Sequence, residues 1–268
     1  MIKKMLLRVA VFLSLAAVTI PLLTLLVWSF CSSWPWPGLF PESFSPRGVQ
    51  ALFGGYSGAV EAAAASIAIG LITAAAATLI SIPAARALVL HDFYGKGTVQ
   101  LLLLLPVAVP GSAFAMSVQV LFIRIGLSDT YAGVILVHMV LCLPYTVKIL
   151  SEVVAAVGSR YEVQANVLGA GKADTFRHIT VPVLMPGIVS AFSMAFVVSM
   201  GQYFLTFLIG GGMVVTLPMR MFPYIQSGDR QLASAYGVLF ILSALFVFFL
   251  SDRLVRKYYH FDSTYFFV

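Results

Sequence analysis

Charged residues are scarce in this 268-residue sequence: Asp, Glu, Lys and Arg make up 10% of it, and hydrophobic residues make up 60%. Soluble domains carry roughly 25% charged residues, so the composition excludes a soluble protein. There are only two cysteines, Cys31 and Cys142, which excludes a disulfide framework and a four-cysteine zinc site. No Ser-His-Asp set, paired carboxylates or His-Glu-x-x-His motif lies near a membrane face. The sequence therefore predicts neither a catalytic residue nor a metal site.

A nucleotide-binding loop is also missing. Gly95-Lys96 and Gly171-Lys172 are the only Gly-Lys pairs, and neither has the upstream glycine and following hydroxyl of a phosphate loop. We therefore predict that the chain does not bind ATP and needs no cofactor of its own. The net charge of +6 is explained by membrane orientation, so no nucleic-acid partner is predicted.

Long apolar runs dominate what is present. A membrane-spanning helix needs about 20 apolar residues. Six runs meet this requirement, at about 5–30, 60–85, 99–123, 131–150, 188–209 and 233–252. The sequence predicts one all-α membrane domain, 1–268, with six transmembrane helices and its longest polar connection at 151–187. Pro106, Pro110 and Gly111 predict a kink in the third helix, which we expect to line the interior of the bundle.

The distribution of basic residues predicts the orientation. Twelve of the 16 Lys and Arg residues lie in the terminal segments and in the second and fourth connections, which share one side of the membrane in a six-helix protein. The remaining four, on the opposite side, are Arg47, Arg124, Arg220 and Arg230. Basic residues stay in the cytoplasm, so both termini and the 151–187 connection are predicted to be cytoplasmic.

The 151–187 connection has a pattern of its own. Val163 and Val167 are spaced as on one face of a helix, and a Gly169-Ala170-Gly171 break follows. A second short helix carries Phe176 and Ile179 and ends before the prolines at 182 and 186. Apolar side chains among charged ones on a helix-turn-helix elbow indicate a docking site for a soluble partner.

This connection resembles the signature loop of the inner-membrane permease subunits of binding-protein-dependent (type I) ABC importers. Their pattern is Glu-Ala-Ala, three residues, Gly, nine residues and Ile-x-Leu-Pro. Matching positions are Ala165, Gly169, Ile179 and Pro182. Further similarities are Leu105-Pro106 with Pro110-Gly111, Leu143-Pro144-Tyr145 and Thr216-Leu217-Pro218. These resemble most the branch that serves polyamines, thiamine, ferric iron and phosphonates.

The resemblance implies a MetI-like permease fold in the bacterial inner membrane and transport by alternating access. It implies several partners: two cytoplasmic ATPases that bind ATP and Mg²⁺, a second permease, identical or related, and an extracytoplasmic solute-binding protein. The implied ATPase-coupling residues are Glu162, Ala165, Leu168, Gly169, Ala170, Gly171 and Phe176. One departure stands out: the signature acid is replaced by Val163, and Glu162 lies one residue earlier.

A few polar residues inside the predicted helices are candidates for the translocation pathway, namely Gln119, His138, Ser199 and Gln202. The alternative for each is hydrogen bonding between helices. We expect a small polar solute, and the absence of an acid in Met200-Gly201-Gln202-Tyr203 disfavours a strongly cationic one. An ion-coupled carrier is an alternative class, but no Asp, Glu, Lys or Arg lies in the middle of a predicted helix. A membrane scaffold without transport activity is the other alternative.

Overall fold

A computed structural model describes residues 2–35, 37–54 and 57–258, which are almost entirely helical. The described residues form two compact units. One comprises those in Met1–Ala64 and Thr216–Ser243, and the other those in Ala65–Val215 and Ala244–Val268.

The first unit begins with α1 (Ile2–Phe30), a hairpin of β1 (Cys31–Ser33) and β2 (Ser43–Phe44), and α2 (Arg47–Phe53). The hairpin is antiparallel, with Cys31 opposite Phe44. The first turns of α3 (Ala59–Leu90), then α11 (Leu217–Ser227) and the first half of α12 (Arg230–Tyr258) complete the unit. Its core contains Leu52, Ala59, Leu217, Ala235 and Tyr236. By contrast, most side chains of α1 are exposed, which leaves them available to lipid or another subunit.

The second unit contains the rest of α3 and α12 together with seven further helices. These are α4 (Lys96–Ala108), α5 (Gly111–Arg124), α6 (Tyr131–Val157), α7 (Arg160–Val167), α8 (Lys172–Thr175), α9 (Val181–Met200) and α10 (Phe204–Gly210). Glycines allow close packing among the long helices: a Cβ atom at Gly187 would lie 2.8 Å from Val153, and one at Gly70 would lie 2.8 Å from Phe196. Small residues are a usual means of helix packing in membranes, where hydrophobicity alone does not drive association.

The third predicted helix is interrupted more strongly than a kink. Its residues form α4 and α5, which meet at an angle of 105°. Val109 has an extended backbone, and Pro110 has no N–H to donate to a carbonyl of α4, so α4 ends here and α5 starts in a different direction. No residue of α4 is buried in the subunit. By contrast, Ala115 of α5 belongs to a buried core cluster with Val134 and Ile209, so only the second half of the predicted helix lies in the interior of the subunit.

The other helix bounds also differ from the expectations. α3 continues through Pro83 to Leu90, and α6 continues past the apolar run to Val157. The helix of the fifth span begins earlier than expected, because α9 continues without a break from α8, and the predicted end of a short helix before Pro182 is wrong. It ends at Met200 before a separate α10. α12 is longer than predicted at both ends. Among the described helices, five can cross a membrane by length and composition, or six if the bent α4–α5 pair is one span.

Candidate functional site

The polar connection forms the predicted helix-turn-helix. Helix α7 ends at Val167, and the amide of Ala170 donates to the carbonyl of Ala165 at 3.0 Å. Gly169 has a φ of +87°, a left-handed conformation that glycine adopts without strain. Helix α8 follows and continues into a single π-helical turn, Phe176–Thr180, before α9. We refer to residues 160–180 as the elbow segment. The structure confirms the turn position predicted from the glycines.

The tip of the elbow segment exposes apolar side chains. Leu168 is 87% exposed and Val167 is 82% exposed. Val163, one turn before Val167, is also more than half exposed. Gly169 and Gly171 are exposed as well, so nothing within the described chain covers this surface. This exposure fits the docking site that the sequence predicted, and the docking role stays a prediction.

The opposite side of α7 faces its own subunit. Ala165 is 5% exposed, and Glu162, one helical turn earlier, meets Arg86 of α3. The two terminal nitrogens of the Arg86 guanidinium donate to the Glu162 carboxylate, Nη2 at 2.9 Å to Oε2 and Nη1 to Oε1. The hydroxyl of Thr180 donates to Glu162 Oε1 at 2.7 Å. The hydrogen bonds from Arg86 lower the pKa of Glu162, partial burial opposes this shift, and the Thr180 bond adds to it.

Phe176 lies beside this ion pair, with its ring centroid 6.0 Å from Arg86 Cζ, and is itself 43% exposed. A cavity of about 400 Å³ opens here, lined by Arg86, His91, Glu162, Asn166, Lys172, Thr175, Phe176 and Thr180. The implied coupling residues therefore divide into two sets. Leu168, Gly169 and Gly171 face outward, whereas Glu162 and Ala165 attach the elbow segment to its own subunit.

Two of the pathway candidates belong to one buried cluster. His138 is 1% exposed, and its Nδ1 lies 2.9 Å from Ser199 Oγ while its Nε2 lies 3.0 Å from Thr206 Oγ1. The Thr206 hydroxyl donates its proton to the carbonyl of Gln202, so it accepts from His138. This assigns the ring proton to Nε2, with Nδ1 accepting from Ser199. We call His138, Ser199 and Thr206 the buried polar cluster. Thr206 had no separate signal in the sequence.

The two glutamine candidates are half-buried and bond to backbone. Gln119 Nε2 donates to the carbonyl of Leu208 in α10 at 3.2 Å, and Gln202 Nε2 donates to Val198 at 3.2 Å. Gln119, His138 and Ser199 thus make the interhelical hydrogen bonds of the structural alternative, whereas Gln202 bonds to a carbonyl four residues earlier in the chain. The role of all four in a pathway stays a prediction. Cys31 and Cys142 are both free and buried. Among the described residues, no group of three His, Cys, Asp or Glu could hold a metal ion.

Several apolar helices long enough to cross a membrane define a multi-pass membrane protein, and two of them are connected through an elbow with an exposed apolar tip. The chain belongs to the family of binding-protein-dependent transport system inner membrane components, whose model matches residues 77–259. It is therefore a permease subunit of a type I ABC importer, as the elbow sequence predicted.

Known relatives agree with this family. The spermidine/putrescine transport system permease protein PotC of Haemophilus influenzae is 28% identical over 83% of this chain and 86% of its own length. The putative 2-aminoethylphosphonate transport system permease protein PhnV of Salmonella paratyphi A is 28% identical over 89% of both chains. PotC of Escherichia coli (strain K12) is 26% identical over 88% of this chain and 89% of its own. These relatives are transport permeases and place the chain in the polyamine and phosphonate branch.

Proposed function

We propose that the elbow segment couples this permease to a cytoplasmic ATPase and that its exposed tip is the contact surface. The observation that carries the proposal is the exposure of Val167 and Leu168 at the end of α7, next to a left-handed glycine that makes the tip narrow. An apolar tip of this kind gains free energy by entering a groove on another protein. Ala170, which directly follows Gly169, and Phe176, whose ring is 43% exposed beside Arg86, are the further proposed contacts.

The proposed complex places ATP and Mg²⁺ in two partner ATPases, with no cofactor in this chain. A second permease, identical or related, completes the translocation pathway, and a solute-binding protein delivers cargo from outside. Family membership supports partners of these kinds. ATP-driven movement of the two ATPases would displace the elbow segment and switch the permease pair between inward-open and outward-open states.

Orientation follows from the same proposal. The elbow segment must lie in the cytoplasm, and the excess of Lys and Arg on that side supports the placement. Both termini are then cytoplasmic too, although residues 259–268 lie outside the described residues. The hairpin and α2 would be extracytoplasmic. A reporter enzyme that is active only outside the cytoplasm should be active when it is fused after Ser227 and inactive when it is fused after Lys172.

The proposed cargo is a small polar solute. The relatives' names point to different solutes, spermidine or putrescine for PotC and 2-aminoethylphosphonate for PhnV. Within the described pathway candidates there is no carboxylate, which supports a cargo that does not depend on a buried acid for recognition. A panel of small polar solutes, tested for binding to the neighbouring solute-binding protein, would identify the class.

The coupling proposal is tested with the variant Leu168→Glu. Leu168 is almost fully exposed, so the substitution should leave the permease folded. We expect co-purification of the neighbouring ATPase to weaken by at least about tenfold, because a charge would enter an apolar contact. The matched control is Leu39→Glu, in which an equally exposed leucine on the hairpin connection is changed. Equal retention of the ATPase by both variants would contradict the proposal.

A further inference from the structure

Arg86, Glu162 and Thr180 meet at one point although Arg86 lies 76 residues before Glu162 and Thr180 lies 18 residues after it. Arg86 lies near the end of α3, Glu162 in the first turn of α7, and Thr180 at the end of the π-helical turn, directly before α9. We call these three residues the Arg86 junction. We propose that the Arg86 junction is the positioning element that transmits movement of the elbow segment to α3 and α9, and that Glu162 acts inside its own subunit rather than on the ATPase. This inference rests on the proposed coupling function.

The geometry of the ion pair suits the transmission of movement. A planar guanidinium bound through two nitrogens to both carboxylate oxygens fixes the orientation of the pair as well as its distance. The Arg86 and Glu162 side chains are only 24% and 20% exposed, so solvent weakens the pair less than it would at an open surface. Thr180 adds a third attachment on the same carboxylate, at 2.7 Å.

Helical periodicity separates this junction from the proposed ATPase contact. Glu162 and Ala165 are three residues apart and share the face of α7 turned toward the subunit. Val163 and Val167 are four residues apart and share the exposed face. A carboxylate held by Arg86 and Thr180 on the inner face cannot also reach a partner that covers Val167 and Leu168. One short helix therefore has a face for the partner and a face for its own subunit.

The junction also accounts for the departure from the family signature. The sequence has Val163 where the signature has an acid, and an acid at Glu162 instead. A shift of one residue turns a side chain by about 100° around a helix. The carboxylate at 162 points toward α3, and the structure supplies its cation from the same chain at Arg86.

The experiment uses the full complex with its neighbouring ATPases in nanodiscs. Two quantities are measured: the rate of MgATP hydrolysis, and the change in maleimide labelling of a reporter cysteine when MgATP and vanadate are added. Ser117→Cys on α5 is a suitable reporter because Ser117 is exposed, and native Cys31 and Cys142 are buried and give little background. Arg86→Gln, Glu162→Gln and the charge exchange of Arg86→Glu with Glu162→Arg are compared.

We expect both single variants to retain the ATPase and its hydrolysis but to lose the labelling response roughly tenfold, the effect of removing charge-assisted hydrogen bonds. The charge exchange should restore most of the response, which a purely local packing defect would not allow. Arg86→Lys keeps the positive charge but cannot bind the carboxylate through two nitrogens, so it should give an intermediate labelling response. It also serves as the test variant if Arg86→Gln fails to accumulate.

Lys148 and Glu152 provide a matched control, since they form an exposed ion pair on α6. Replacing both with Gln should change neither MgATP hydrolysis nor the labelling response. If Glu162→Gln loses the ATPase while Arg86→Gln keeps it, Glu162 contacts the partner and the inference is wrong. An unchanged labelling response in both single variants would also overturn it. Failure of the coupling proposal has a different signature, because Leu168→Glu would then retain the ATPase.

Discussion

The buried polar cluster and the tip of the elbow segment have opposite patterns of burial. The cluster hides three polar side chains, His138, Ser199 and Thr206, at 4% exposure or less. The tip presents two apolar side chains, Val167 and Leu168, at more than 80% exposure. Either arrangement is costly unless the buried polar groups find hydrogen-bond partners and the exposed apolar side chains are covered. The contrast shows that the surroundings of a segment decide which side chains it should bury.

The physical reason differs between the two regions. In the membrane interior there is no water to satisfy polar groups, so His138, Ser199 and Thr206 satisfy one another. At the elbow segment water is available, and an exposed apolar side chain gains nothing until a partner covers it. One region is therefore complete within the subunit, and in the proposed coupling the other becomes complete only when the ATPase covers it. Substitutions in the two regions should consequently fail in different ways.

The largest expected effect is on stability, from His138→Ala. The substitution removes two buried hydrogen bonds and leaves a cavity, so we expect the free energy of unfolding to fall by about 2–4 kcal/mol. Unfolding is measured by the reaction of buried Cys142 with a thiol-reactive dye during heating. Thr206→Val, which retains the shape but not the hydroxyl, should cost less. A stability unchanged by His138→Ala would break the comparison, since the cluster would then have no structural role.

A smaller effect is expected from Gly70→Ala. The new methyl would lie 2.8 Å from the ring of Phe196, which is itself 2% exposed and has little room to move. We expect a loss of about 1–3 kcal/mol in the same unfolding assay. Gly97→Ala is the matched control, because no atom lies within 4 Å of a Cβ there. Equal effects of the two variants would show that helix packing near the cluster tolerates expansion.

Gly169→Ala sharpens the comparison at the elbow segment. No atom lies within 4 Å of the new Cβ, but the φ of +87° disfavours an alanine by about 1–2 kcal/mol. The turn should relax locally and displace Leu168, so ATPase binding should weaken while the melting temperature of the permease stays nearly constant. Both are measured on the same preparation. A lower melting temperature with unchanged ATPase binding would reverse the roles that the comparison gives to the two regions.

The smallest effect is a pH dependence at the attachment of the elbow segment. The pKa of Glu162 is lowered in the folded state, chiefly by Arg86, so its ionised form stabilises the fold at pH values above its unfolded pKa of about 4.3. This contribution is lost as the pH falls through the lowered pKa. Between pH 7 and about pH 5.5 we expect no change from this group. On further acidification wild type should lose stability more steeply than Glu162→Gln in unfolding assays; parallel curves would contradict this.

The sequence alone led to the correct family, and particular residues show why. Gly169 and Pro182 match the family signature at fixed spacings within one short segment. Such spacings reflect local turns and helix ends, so they can be recognised without a structure. The long helices were predictable because a hydrocarbon core demands about 20 apolar residues, whatever the fold. Helix ends were not predictable to the residue. Pro83 lies inside α3 without ending it, and α9 begins seven residues before its apolar run was expected.

Contacts between distant residues could not be predicted. In the sequence Arg86 was only one of the basic residues that set orientation, and nothing marked it as the partner of Glu162, 76 positions away. Thr206 looked like any threonine in a helix, and only the packing of α6, α9 and α10 brings it to His138. Such pairs depend on how the helices are placed in space, which neither periodicity nor local propensity records.

The sequence by itself determined that this chain is a helical membrane permease with an elbow between its fourth and fifth spans. The helices follow from the apolar length of each run and the elbow from its glycines and prolines, whereas the permease family follows from the resemblance of the 151–187 connection to a known signature loop. The tertiary structure decided which way each side of the elbow faces, that α4 and α5 meet at 105°, and that His138 is held by Ser199 and Thr206. These features arise from packing between segments that are far apart in the chain. The close contact between Gly70 and Phe196 and the hydrogen bonds between buried polar groups favour one arrangement of the helices.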